Sequence, residues 1–135
     1  MVTDAEIEDL VASFEDGSLP RSEWTHAGHL LVAAWYLSRH PRDRATDLVR
    51  DALRRYGRLH GRQAFYHETI TLAWMAVVAG FLGRSDRARP VSALAATLLA
   101  ECGDKDYLLR YYSREVLMSD EARRAWVPPD RRPIE

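Results

Sequence analysis

Apolar residues recur along this chain at the three-and-four spacing of a helix, and no stretch shows the strict alternation of a strand. Ile7, Leu10, Val11 and Phe14 form the first stripe. Thr3-Asp4-Ala5-Glu6 before it has the form of a capping box, so a helix is predicted from about Asp4 to Phe14. Asp16-Gly17-Ser18-Leu19-Pro20 closes it in a loop. Ser22 or Thr25 can cap a second helix, whose residues Leu30 to Leu37 are apolar nearly all round, and Pro41 stops it. A helix of that kind belongs in the middle of a bundle.

Pro41 can open a third helix, with Ala45, Leu48, Val49, Ala52 and Leu53 on one stripe and Arg and Asp on the rest, ending near Gly57 or Gly61. The interleaved Arg42, Arg44, Arg50, Arg54, Arg55 and Arg58 with Asp43, Asp47 and Asp51 read as a solvated face. A fourth helix starts at Tyr66 to Thr69, is apolar nearly all round, and ends near Phe81. A fifth runs from Pro90 to about Glu101, a short helix or turn spans Leu108 to Tyr112, and Ser119 caps a last helix to Trp126. Pro128-Pro129 ends it and leaves a charged tail that is expected to be loose. The pattern predicts a single all-α domain over residues 1–135: a compact helical bundle of five to six helices, two of them buried and central.

Charge narrows the partners. Nineteen basic residues against 20 acidic give a net charge of −1, with no basic excess for nucleic acid. The longest apolar run, Ile70 to Leu82, is too short to span a bilayer, and the acidic start Met1-Val2-Thr3-Asp4 has no signal-peptide core, so neither membrane insertion nor export is expected. Cys102 is the one cysteine, which fits a reducing, cytoplasmic setting and excludes thiolate zinc fingers; with no activating neighbour, it reads as inert.

The candidate chemistry lies in two segments, Trp24-Thr25-His26-Ala27-Gly28-His29 and Tyr66-His67-Glu68-Thr69. Each sits where a buried helix begins. His26 and His29 are three apart and so share a helix face. His67, arriving from the other buried helix, would complete a three-imidazole set able to hold a divalent metal such as zinc, iron or nickel. Glu68 is then a fourth ligand, a base acting on bound water, or an orienter of a ligand histidine, and it shares a site with His67 if the helix starts between them. Glu23, three before His26, is a supporting carboxylate. Trp24 and Tyr66 flank the histidines as pocket walls, and Arg114 could clamp a substrate carboxylate. His40 and His60, at helix ends, and the volumes of Trp35 and Trp74 read as structural.

Taken together, Leu19-Pro20, the Trp-Thr-His-x-x-His string at 24–29, Tyr66-His67-Glu68-Thr69 and Tyr111-Tyr112-Ser113-Arg114 resemble a family of small bacterial helical proteins of unassigned function. A looser similarity is to DinB-like bundles, which carry a three-histidine metal site; there the paired ligands come late on one helix, here early. That similarity implies a metal-binding bundle. Two functions follow as expectations. One is a metal-dependent enzyme acting on a small polar molecule through His26, His29 and His67, with Glu68 as acid or base. The other is a non-catalytic module for a small ligand or protein partner, its histidines a hydrogen-bonded network, with some apolar surface hidden in a homodimer.

Overall fold

The protein is described by a computed structural model covering residues 2–135. Among these residues there are seven α-helices and no strand. In chain order they are α1 (Asp4–Asp16), α2 (His26–Arg39), α3 (Arg42–Leu59), α4 (Glu68–Gly83), α5 (Val91–Cys102), α6 (Arg114–Leu117) and α7 (Asp120–Arg124). Short 3₁₀ turns at Arg21–Glu23, Gln63–Phe65 and Tyr107–Arg110 link them.

The expected all-α bundle is what the chain forms, with α2 at its centre against α1, α3, α4 and α5. Eight residues of α2, including every position from Leu30 to Ala34, are buried, as an all-round apolar helix requires. α4 is the second central helix, burying Ala73, Met75, Val77, Val78, Phe81 and Leu82. α3 is the opposite type, with Ala45, Val49, Ala52 and Tyr56 inward and its arginines and aspartates outward. One core runs through these helices from Ile7 to Leu117. Each large apolar side chain sealed in it contributes roughly 1.5–3 kcal/mol.

Helix starts follow local chemistry. Thr3 and Glu6 close the capping box of α1, and Thr25 caps α2 by accepting the Gly28 N–H at 3.1 Å. α2 therefore begins after Trp24. Glu23 stands in the preceding 3₁₀ turn, so the helical spacing of Glu23 and His26 does not apply.

The C-terminal third departs from expectation. The helix or turn expected across Leu108 to Tyr112 is the 3₁₀ turn Tyr107–Arg110, and Ser113 caps an additional short helix, α6. The tail expected to be loose is tied down. The Arg131 N–H reaches Tyr111 O at 2.9 Å, and the Ser113 N–H reaches Asp130 Oδ1 at 2.8 Å. Thr69, fully buried in the first turn of α4, donates to Ala125 O at 2.7 Å and accepts the Val127 N–H at 3.1 Å. Tyr112 Oη donates to Val127 O at 2.6 Å. These bonds hold the stretch after α7 against the start of α4 and against residues Tyr111 to Ser113. No helix among the described residues is long and apolar enough to cross a membrane.

Candidate functional site: an aromatic and basic pocket between three helices

The first two turns of α2, the second half of α3, the loop before α4 and the first two turns of α4 enclose a pocket of about 930 Å³. His26, His29 and His67 all line it, as do Trp24 and Tyr66. The two histidine segments therefore do meet in space, because α2 and α4 are neighbours and both begin at this end of the bundle.

Each imidazole has a distinct environment. His29 donates from Nδ1 to Thr25 O at 2.7 Å, so in the neutral ring Nε2 keeps its lone pair. Its ring stacks on Trp24 with centroids 3.8 Å apart, and Trp24 stacks in turn on the buried Phe14 at 4.3 Å. His29 is open to the pocket yet crowded by protein, and that desolvation, outweighing the Thr25 carbonyl, lowers its pKa below the ordinary 6.5. His26 makes a long contact from Nε2 to Cys102 O at 3.4 Å and lies 4.8 Å from the Trp74 ring.

His67 is built into the fold. It occupies the N-cap of α4, where its Nδ1 accepts the Ile70 N–H at 3.0 Å. Its Nε2–H donates to Leu117 O at 2.7 Å. Both ring nitrogens are engaged, the tautomer is fixed by the two partners, and burial lowers the pKa of the ring so that it stays neutral. Among the described residues, no group of three or more His, Cys, Asp or Glu side chains is arranged to hold a metal ion.

α4 does start between His67 and Glu68, yet the two side chains part. Glu68 takes a bidentate pair from Arg50, with Nε to Oε1 at 3.1 Å and Nη2 to Oε2 at 3.0 Å, and a further bond from the Tyr66 hydroxyl. Burial alone would raise its pKa, but the Arg50 guanidinium and the Tyr66 hydroxyl more than offset this and hold it below the ordinary 4.5. The Tyr66 phenol is pushed up to about 12, by burial first and the Glu68 carboxylate second. With both oxygens occupied, Glu68 is an ionised carboxylate bracing Tyr66 and α3 against the start of α4. It is not among the residues lining the pocket. Arg114, exposed in the first turn of α6, also lies outside the lining. His60 bonds Gly17 O at 2.9 Å and stacks on Tyr56, in keeping with a structural role.

The lining adds residues that the sequence reading left on a solvated face. Arg54 and Arg58 of α3, with Arg21 and Arg62, stand around the pocket. Arg54 lies over the Tyr66 ring at 4.8 Å and Arg62 over the Phe65 ring at 4.7 Å. The signal was available, since positions 50, 54 and 58 advance by four and so form a basic stripe on one helix face. Chemically, the pocket offers flat aromatic surface at Trp24, Phe65, Tyr66 and Trp74, a neutral acceptor at His29 and guanidinium donors at its walls. Comparison with protein-family models, with curated proteins and with solved structures finds no match to this chain.

Proposed function

We propose that the chain is a binding module for a small organic molecule with a flat apolar body, held in the pocket between α2, α3 and α4. The observation that carries this reading is the pocket itself. Its volume of about 930 Å³ falls in the range of ligand sites, and its wall combines aromatic rings with a few placed polar groups. The Phe14–Trp24–His29 stack and the Arg50–Glu68–Tyr66 bracing support it, because they fix wall residues in place before any ligand arrives.

Titration with N-phenylnaphthylamine, a neutral dye that brightens out of water, tests the reading. Saturable binding to the wild type, lost in Leu53→Trp, is expected, since Leu53 lines the pocket and an indole there would occupy it. No binding to the wild type, or equal binding to the variant, would count against it.

A second reading, a metal-dependent enzyme, draws on the presence of His26, His29 and His67 in one lining. In that reading His26 and His29 supply two imidazoles of a divalent-metal site, and His67 joins them by exchanging its bonds to Ile70 and Leu117. Such a metal would polarise a substrate oxygen or acidify a bound water. Elemental mass spectrometry on the wild type and on His26→Ala and His29→Ala decides it. Near-stoichiometric metal in the wild type, lost in both folded variants, would favour the enzyme. Absence of metal and of uptake on adding zinc, iron or nickel would exclude it.

A further inference from the structure

We infer that the ligand of this pocket is an organic anion, its carboxylate, sulfonate or phosphate group met by Arg54 and Arg58 and its apolar body lying among the aromatic rings. The inference rests on reading the pocket as a ligand site and adds the charge of what enters it.

Charge asymmetry carries the argument. The chain as a whole is balanced, at 19 basic against 20 acidic residues, and a few of its arginines are paired. Arg39 pairs with Glu8, Arg50 with Asp47 and Glu68, and Arg84 with Glu101, while Arg55 bonds Glu15 O. Arg21, Arg54, Arg58 and Arg62 form no ion pair among the described residues. A water-exposed arginine needs no partner, so this alone decides nothing. These four, however, share one concave lining, and that lining contains no Asp or Glu among the described residues. Glu68, the carboxylate nearest in sequence to Tyr66, is already neutralised by Arg50.

A concave, partly apolar wall of one sign focuses its field on what enters. Arg54 and Arg58 are four apart on α3 and so project from the same face, close enough to share one anionic group. The Arg54 guanidinium lies over the Tyr66 ring and that of Arg62 over the Phe65 ring, so positive charge stands beside the aromatic surface and an anion and an apolar body would be recognised side by side. The neutral Nε2 of His29 adds an acceptor for a ligand hydroxyl or amide. The opposite choice, a cationic ligand, would meet four guanidinium groups and no carboxylate. A nucleic acid would need a broad basic surface, which a net charge of −1 does not supply.

Two dyes that differ by one sulfonate test this on the full chain: anilinonaphthalene sulfonate and neutral N-phenylnaphthylamine. The sulfonate is expected to bind the wild type about tenfold more tightly. Added salt should weaken it while leaving the neutral dye unchanged. Arg54→Gln with Arg58→Gln should bring the sulfonate down to the affinity of the neutral dye, and Leu53→Trp should abolish both. If both dyes bind equally well and ignore salt, the pocket takes ligands but the anion inference is overturned. If neither binds, the underlying reading falls as well. Sulfonate binding that survives Leu53→Trp places the dye elsewhere and also overturns the inference. Should the double arginine variant lose its helical circular dichroism, the wild-type salt titration decides by itself.

Discussion

His67 Nε2 lies 2.7 Å from Leu117 O while its Nδ1 takes the Ile70 N–H at 3.0 Å, so one neutral imidazole both starts α4 and fastens the end of α6. His67→Ala removes an N-cap and leaves the Leu117 carbonyl without its donor, a combined cost of about 2–4 kcal/mol. His67→Asn restores a good cap but cannot reach Leu117, and should recover about half of that. Urea unfolding with an unchanged m-value checks both variants.

Acid should weaken the fold in two separate ranges. His29 and His67 have folded pKa values below 6.5, so between those values and 6.5 the unfolded chain binds more protons than the folded one. Their stability contribution is complete above pH 6.5 and lost as pH falls below it. Glu68 has a folded pKa below 4.5, so its contribution is present above pH 4.5 and is lost as pH falls through the folded value. Melting temperature against pH should show both limbs. His29→Gln with His67→Asn should flatten the upper one, and Glu68→Gln the lower one.

Thr69→Val keeps the shape of a fully buried side chain and deletes the hydroxyl that bonds Ala125 O and Val127 N. A loss of about 1–3 kcal/mol is expected. Hydrogen exchange gives the sharper readout: the Val127 amide should exchange much faster in the variant, while amides in the middle of α2 scale with global stability.

Gly17 ends α1 at φ +81°, and a Cβ added there would collide with Leu59 Cδ1. Gly17→Ala should cost about 1–2 kcal/mol through backbone strain and this contact together. Leu59 is largely exposed, so Leu59→Ala alone should cost little. In the double variant the steric part is relieved and the φ penalty remains, which a double-mutant cycle separates.

The contrast between what the sequence announces and what it hides follows the range of the interactions. Thr3, Thr25 and Ser119 cap their helices through bonds to residues three positions on, so their pattern is local and readable. The all-round apolar runs of α2 and α4 likewise announce burial. His67 carries no local mark of its bond to Leu117, which is 50 residues away. Glu68 finds Arg50 in the preceding helix, 18 residues back, and the two look unrelated along the chain. The docked tail depends on the side chains of Thr69, Tyr112 and Asp130 and on the Tyr111 carbonyl, each bonded to a residue 15 or more positions away, and α6, at four residues, is too short to show a period. The meeting of the two histidine segments is suggested by their shared position at the start of two apolar helices, but the sequence alone does not show it; the common pocket lining does. The partners of each imidazole and carboxylate were not readable.

The stack of Phe14, Trp24 and His29 has an optical consequence. Trp24 joins the core to the pocket wall, and Trp74 lines the same space, while Trp35 and Trp126 stand outside it. Occupancy would alter the surroundings of two of the four indoles. The chain thus carries its own fluorophores at the site, and an unlabelled compound can be followed by the shift or quenching of native emission, with Trp24→Phe and Trp74→Phe assigning the signal to one wall or the other.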